Sequence, residues 1–112
     1  MKRVVITGMG IISSIGNNIQ EVHESLYKRK SGIIFAEDYK EMGFRSHVKG
    51  NINIDLEEKV DRRLLRFMGD GAAYAYIAMQ QAIADSGLKE EEVSNFKTGL
   101  VAKWRTFNIK YA

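Results

Sequence analysis

The feature that most constrains the fold is a long helical pattern in the second half of the sequence. Apolar residues recur there at helical spacing, and the stretch 72–84 is dense in alanine. The recurring positions are Leu64, Leu65, Phe67, Met68, Ala72, Ala75, Tyr76, Met79, Ala82 and Ile83. Because alanine lets neighbouring backbones approach closely, the pattern is typical of a helix that is packed on several sides. Gly69 and Gly71 predict a break between a short first helix and a long second one, which ends at Asp85-Ser86-Gly87.

Two apolar runs frame this helical region and predict β-strands. Val4-Val5-Ile6-Thr7 ends at Gly8, and the second run is Thr98-Gly99-Leu100-Val101-Ala102. Continuous apolar runs of this kind suit strands that are buried on both faces of a parallel or mixed sheet.

A further helix is predicted after the first strand. It begins after Asn17 or Asn18, with Glu21 placed as a capping box requires, and it runs to about Lys30. The segment 33–55 predicts loops with short strands, and residues 88–93 predict an exposed turn. The order strand, helix, mixed loops, long helix and strand predicts an α/β fold, without an evident repeat or linker.

The residue types exclude several kinds of site. The chain contains no cysteine, which excludes a disulfide framework, zinc–cysteine sites, iron–sulfur clusters and a thiol nucleophile within it. His23 and His47 have no second ligand at suitable spacing, so we expect surface or packing roles for them and no metal site. The serines have no histidine base at recognisable spacing, which leaves a serine nucleophile unsupported.

The distribution of charge and apolar residues disfavours nucleic acids and membranes as partners. Residues 1–102 carry fourteen basic and fourteen acidic side chains, so the net charge of +3 comes entirely from residues 103–112. A nucleic-acid footprint needs basic residues clustered on a folded face. No apolar run approaches the ~20 residues that span a bilayer. Glycines interrupt the apolar stretch that follows Met1-Lys2-Arg3, so we expect a cytoplasmic chain rather than a secreted one.

A glycine pair after the first predicted strand raises the possibility of a nucleotide site. Gly8-Met9-Gly10 begins like a dinucleotide-binding fingerprint, but the third glycine is missing because position 13 is Ser13. Tight packing of the strand end is the alternative interpretation, and the sequence favours it.

A basic cluster at the start of the helical region is the strongest candidate site. Arg62, Arg63 and Arg66 are predicted to share one helical face, with Asp61 at its N-terminus. One interpretation is a solvated helix face. The other is a docking surface for an acidic partner or phosphate, because arginine guanidinium groups bind anionic oxygens in pairs.

Several segments, taken together, resemble the β-ketoacyl-acyl-carrier-protein synthases, a family of thiolase-like condensing enzymes. The resemblance is collinear and covers residues 1–102. It is carried by the opening Lys2 to Asn18, by Ser31-Gly32-Ile33, by Arg45-Ser46-His47-Val48 with Gly50-Asn51, by Asp61-Arg62-Arg63 with Arg66-Phe67-Met68, and by Gln81 to Leu88.

The resemblance implies an incomplete N-terminal half of a thiolase-like α-β-α-β-α fold. Members of the family are acyltransferases that condense malonyl- and acyl-carrier-protein thioesters in fatty-acid elongation. A cysteine takes the acyl group and two histidines assist the decarboxylation of the malonyl group. The family implies no cofactor, and its full-length members are homodimers whose partner is acyl-carrier protein.

The resemblance also assigns a site to this chain. Basic residues matching Arg45, Arg62, Arg63 and Arg66 face the acidic carrier protein in the family, which implies that these four bind it here. The family's catalytic cysteine lies beyond residue 112, and neither His23 nor His47 stands in a catalytic motif. We therefore expect no catalytic residue and no condensing activity in the isolated chain. A small non-catalytic α/β module that binds an acidic carrier protein is the alternative.

The tail departs from the family pattern. The family continues after residue 102 into a glycine-rich turn, whereas residues 103–112 contain Trp104 and three basic residues. Read one base later, codons for Trp104-Arg105 encode glycine whichever arginine codon is used. We therefore hypothesise a change of reading frame after about Ala102, which the nucleotide sequence beyond that codon tests.

Overall fold

The structure is a computed structural model that describes residues 1–103. The hypothesis about the tail concerns residues 103–112, of which 104–112 lie outside the described residues. Six helices and one two-stranded sheet are described: α1 Ile19–Tyr27, β1 Ile33–Phe35, α2 Glu37–Glu41, β2 Val48–Gly50, α3 Leu56–Lys59, α4 Arg62–Leu65, α5 Asp70–Ser86 and α6 Glu90–Val93. No described helix combines the length and apolar character that crossing a membrane requires.

Helix α1 begins where the capping residues predict. The Glu21 N–H donates to Asn18 Oδ1 at 2.9 Å, and Glu21 Oε2 accepts from the Asn17 N–H at 2.7 Å. The helix ends at Tyr27 rather than near Lys30, because Arg29 adopts a left-handed conformation with φ 55° that no helix continues through.

The segment 33–55 contains the predicted short strands, but it also contains the helix α2, where the sequence predicts a loop. β1 and β2 pair antiparallel, with Ile33 opposite Gly50 and Phe35 opposite Val48. An ion pair of 2.9 Å between Lys49 and Asp38 ties α2 to β2. The hydrogen bond from the Lys49 ammonium holds the pKa of the Asp38 carboxyl below its usual range.

The break in the helical region lies where the glycines predict it. Gly69 is the N-cap of α5, and α4 precedes it as a separate short helix. α5 ends at Gly87, whose φ of 68° is a left-handed conformation that glycine adopts without strain. The segment 88–93, predicted to be an exposed turn, is exposed over residues 88–92, and its last four residues form the single-turn helix α6. Its Glu92 side chain caps the helix by accepting from the Lys89 N–H at 2.9 Å.

The predictions of strands at 4–7 and 98–102 are wrong for the described part of this chain. Neither run forms a regular element in the described part. A strand requires a neighbour for its backbone N–H and C=O groups, and neither run has one there. Val4 and Val101 are accordingly 94% and 97% exposed. The helices and the two-stranded sheet are consistent with part of an α/β fold.

The apolar core is small. The buried apolar residues within 1–103 are Ala36, Val60, Ala73 and Ile77. Large apolar side chains such as Phe67, Phe96 and Leu100 are exposed. The alanine-rich sequence of α5 predicts a helix that is packed on several sides. Little of the described chain packs against α5, so the helix is not surrounded.

This packing leads to the first prediction. We expect the isolated chain to show helical far-ultraviolet dichroism, to unfold without a cooperative transition and to self-associate, since exposed apolar surface promotes association. Thermal unfolding followed by dichroism and gel filtration at several concentrations would measure this. A sharp two-state transition of a soluble monomer would contradict it.

Candidate functional site

The basic cluster lies on the short helix α4, which follows the short helix α3 after the two residues Val60 and Asp61. Asp55 caps α3 by accepting from the N–H groups of Glu57 (2.9 Å) and Glu58 (3.3 Å). Asp61 caps α4 by accepting from the Arg63 N–H at 2.7 Å. The buried Val60 anchors the link between the two helices. Two aspartates six positions apart therefore set both helix starts and fix the orientation of α4.

The three arginines of this cluster, Arg62, Arg63 and Arg66, are presented together to solvent. Arg62 and Arg63 begin α4, and Arg66 follows its last residue as the C-cap. All three residues are exposed. Their guanidinium groups thus project from a single helical turn, as their spacing predicts. We call these three residues the α4 arginines.

One of the α4 arginines is held by a neighbour. Arg62 Nη2 lies 3.1 Å from Glu57 Oε2, and the two side chains are 82% and 67% exposed. Such an exposed pair contributes no more than about 1 kcal/mol, so it orients Arg62 without withdrawing it from a partner. In the described part, no ion pair or side-chain hydrogen bond engages the guanidinium groups of Arg63 and Arg66. Sequence reasoning missed Glu57, because it lies five residues before Arg62 on a different helix, and only spacings of three or four residues predict a contact along a helix.

Apolar surface adjoins these charges. Phe67, directly after Arg66, is 89% exposed, and Leu64 is 43% exposed. A partner that meets the α4 arginines can therefore bury apolar area beside them. Exposed aromatic and arginine side chains in one patch are the composition that protein interfaces favour.

Arg45 lies apart from the α4 arginines in the chain. It occupies the turn between α2 and β2 and is exposed. Among the hydrogen bonds and ion pairs of residues 1–103, none joins it to the other three. Three of the four predicted residues thus lie within the five-residue stretch 62–66 and the fourth lies on a separate segment, and a common binding site for the four stays a prediction.

The glycine pair is explained by packing. A Cβ atom added to Gly8 would lie 2.2 Å from the Ala82 carbonyl oxygen, and one added to Gly10 would lie 1.8 Å from that of Ala78. Only glycine lets this segment approach the α5 backbone so closely. The glycines therefore need no phosphate ligand to account for them, and the nucleotide interpretation loses its support.

The histidines take the ordinary roles that the sequence predicts. The His47 ring meets Phe35 edge-on with centroids 6.0 Å apart, and His23 is exposed at the edge of an apolar groove. Within residues 1–103 no group of three or more histidine, aspartate or glutamate side chains could hold a metal ion.

Comparison with known proteins identifies a family. The family described as "Beta-ketoacyl synthase, N-terminal domain" matches residues 1–103. The chain is 57% identical over 101 residues to 3-oxoacyl-acyl-carrier-protein synthase 1 of Haemophilus influenzae, covering 90% of this chain and 25% of the relative. It is 52% identical over 103 residues to the synthase 1 of Escherichia coli, covering 91% and 25%. The Buchnera aphidicola (subsp. Baizongia pistaciae) synthase 1 is 53% identical over 96 residues, covering 85% and 24%. The chain thus spans about a quarter of the length of these relatives.

Proposed function

This chain belongs to the beta-ketoacyl synthase family, whose N-terminal domain it matches, and we propose that it supplies a carrier-protein docking surface of a fatty-acid condensing synthase. The relatives' names describe synthases of 3-oxoacyl groups on acyl-carrier protein. The observation that carries the proposal is the cluster of exposed α4 arginines on one helical turn.

The physical basis of docking is electrostatic. A guanidinium group presents a planar fork of donors that matches a carboxylate, and neighbouring forks bind an acidic surface at several points. The charges raise the rate of encounter with an acidic carrier, because attraction acts before contact. In the described part, Arg63 and Arg66 can bind a partner without breaking an intramolecular ion pair. Arg62 would have to give up only its exposed ion pair with Glu57.

Arg45 extends the proposed surface. A carrier protein that contacts both the α4 arginines and the turn before β2 would touch two separate segments of the chain. Contacts on two segments fix the orientation of a partner better than contacts on one helix. Phe67 adds apolar area that an orienting contact can bury.

The chain holds the docking surface but not the group that performs the chemistry. Thioester exchange of the family's kind needs a thiolate nucleophile, and the chain has no cysteine. We therefore propose that condensation occurs on residues outside this sequence, and that the isolated chain has no condensing activity.

A chimera tests the proposed function. Residues 1–102 would be joined to the part of the E. coli relative that this chain does not match. The relative and the chain share 52% identity over the matched region, so we expect the chimera to fold and to condense malonyl- and acyl-carrier-protein thioesters within about tenfold of the relative's rate. Product formation by the chimera, the relative and the isolated chain would be compared.

Two results would oppose the proposal. A chimera that folds but does not condense would contradict it. If such an inactive chimera were found and the isolated chain still bound carrier protein tightly, the alternative of a non-catalytic carrier-binding module would be favoured instead.

A further inference from the structure

A carboxylate of the chain itself already contacts one of the α4 arginines. Arg62 Nη2 donates to Glu57 Oε2 at 3.1 Å. Among the ion pairs of residues 1–103, no other one involves an α4 arginine. The contact has the same chemistry as the one proposed for an acidic carrier protein, namely a carboxylate oxygen on a guanidinium nitrogen. Glu57 and a carrier carboxylate therefore compete for one side chain.

The backbone holds both members of this pair in place. The Glu57 N–H donates to Asp55 Oδ1 at 2.9 Å, which fixes Glu57 in the first turn of α3. Asp61, directly before Arg62, caps α4, and the link between the two helices contains the buried Val60. Because the backbone is already ordered on both sides, forming the pair costs the rotamer freedom of two side chains only.

Glu57 occupies the nitrogen of Arg62 that an incoming carboxylate needs most. A guanidinium group binds a carboxylate most strongly through two parallel N–H···O bonds. Nη2 belongs to both of the forks that make such bonds, the end-on fork with Nη1 and the side-on fork with Nε. A second carboxylate at either fork would lie beside that of Glu57, and the two negative charges repel. Arg62 thus binds a partner fully only when its pair with Glu57 is open.

The pair is weak enough for a partner to displace. The side chains of Arg62 and Glu57 are 82% and 67% exposed, and a pair so exposed is closed at most about five times as often as it is open. The exposed pair does not withdraw Arg62 from a partner, but it makes the partner compete for it. A ligand that needs the open state loses affinity in proportion to the population of that state, which here amounts to a loss of up to about sixfold.

We infer that Glu57 is an internal competitor that attenuates the docking of the acidic carrier protein. It pairs with Arg62 in the free protein, and a carboxylate of the carrier displaces it on docking. The inference rests on the proposed function, since it requires an acidic partner at the α4 arginines. Glu57 is a positioning residue in this role, because it acts on the carrier through Arg62. A weaker docked complex releases its partner sooner, so the competitor favours the exchange of one carrier molecule for the next.

The neighbouring Glu58 supplies a matched control. It is exposed like Glu57, and its side chain makes no ion pair within residues 1–103. Glu58 therefore carries the same charge one position away without contacting an arginine of the described part. Substituting each glutamate by glutamine separates the loss of the competitor from the loss of one negative charge.

Titration with acyl-carrier protein measures the competition. The chimera and its Glu57→Gln and Glu58→Gln variants would be titrated at 0.1 M salt. We expect Glu57→Gln to lower the Kd about three- to sixfold and Glu58→Gln to lower it by less than about twofold, because only the first substitution frees Arg62. The 112-residue chain would be titrated in parallel, since the pair and both caps lie within residues 55–66.

A double-mutant cycle tests whether the effect passes through Arg62. In an Arg62→Gln background Glu57 has no guanidinium group to occupy, so Glu57→Gln should then lower the Kd by less than about twofold. The gain from Glu57→Gln should also disappear near 1 M salt, because screening weakens the pair. Thermal unfolding midpoints of the two glutamine variants should agree within about 2 °C, which would exclude a change of fold as the source of the gain.

The outcomes distinguish this inference from the proposed function. The inference is overturned if the two glutamine variants change the Kd equally, if the gain from Glu57→Gln persists in the Arg62→Gln background, or if Glu57→Gln weakens carrier binding. The proposed function stands in these cases as long as changing Arg62 and Arg66 to glutamate still weakens binding. If that charge reversal leaves carrier binding unchanged, the proposed function fails and the inference fails with it.

Discussion

Changing Arg62 and Arg66 to glutamate in the chimera is expected to lower kcat/KM for acyl groups on acyl-carrier protein by about 10- to 100-fold. The two residues are exposed on one helical turn, so the substitutions convert a basic patch into an acidic one without removing core packing. Attraction to an acidic carrier becomes repulsion, which slows encounter and weakens the docked complex.

Two controls make this result specific. Condensation of acyl groups on a small neutral thiol carrier should change by less than about threefold, because the chemistry lies in other residues. Lys40→Glu with Lys97→Glu changes the net charge equally at exposed positions outside α4 and should have little effect on either substrate. Equal losses with both carriers would show that these arginines support the fold or the acyl pocket instead.

Replacing Gly10 by alanine is expected to lower the free energy of unfolding of the chimera by about 2 to 3 kcal/mol. The added Cβ would lie 1.8 Å from the Ala78 carbonyl oxygen, so the segment must move away from α5. That movement lengthens the hydrogen bonds from Met9 and Ile11 to the α5 side chains Asp85 and Gln81.

Gly50→Ala is the matched control for this substitution. Its added Cβ would meet Ser14 at 3.5 Å, which is an ordinary contact, so we expect a change within about 0.5 kcal/mol. Chemical denaturation of both variants would measure the difference. Equal stability of the two variants would show that segment 8–11 does not pack on α5 in the folded chimera.

The sequence predicted the start of α1 and the ends of α5 because their signals are local, but it did not predict the short helices α2, α3 and α6. Asn18 with Glu21 identified the start of α1, and Gly69 with Gly87 identified both ends of α5. In each case the deciding groups lie within a few residues of one another. The cluster of Arg62, Arg63 and Arg66 was predictable for the same reason, since Arg66 lies four residues after Arg62 and three after Arg63, which are the spacings of helical neighbours.

The strands were predicted less well because β-pairing is non-local. Val4-Val5-Ile6-Thr7 has the composition of a buried strand, but composition does not say whether the chain contains a neighbour to pair with. The sequence also could not predict which backbone atoms lie opposite Gly8 and Gly10. These atoms, the carbonyl oxygens of Ala82 and Ala78, are about seventy residues away in the chain. The position of Arg45 relative to the α4 arginines also depends on tertiary structure.

The dependence of carrier-protein association on salt tests the central claim most directly. Stopped-flow measurement of the association rate would compare the chimera with its Arg62→Glu/Arg66→Glu variant between 0.1 M and 1 M salt, where the Debye length falls from about 10 Å to about 3 Å. We predict that the chimera associates at least about tenfold faster at 0.1 M, and that its rate falls steeply with salt until the two proteins converge near 1 M. Equal rates at 0.1 M, or a difference that does not change with salt, would contradict a docking role for the α4 arginines.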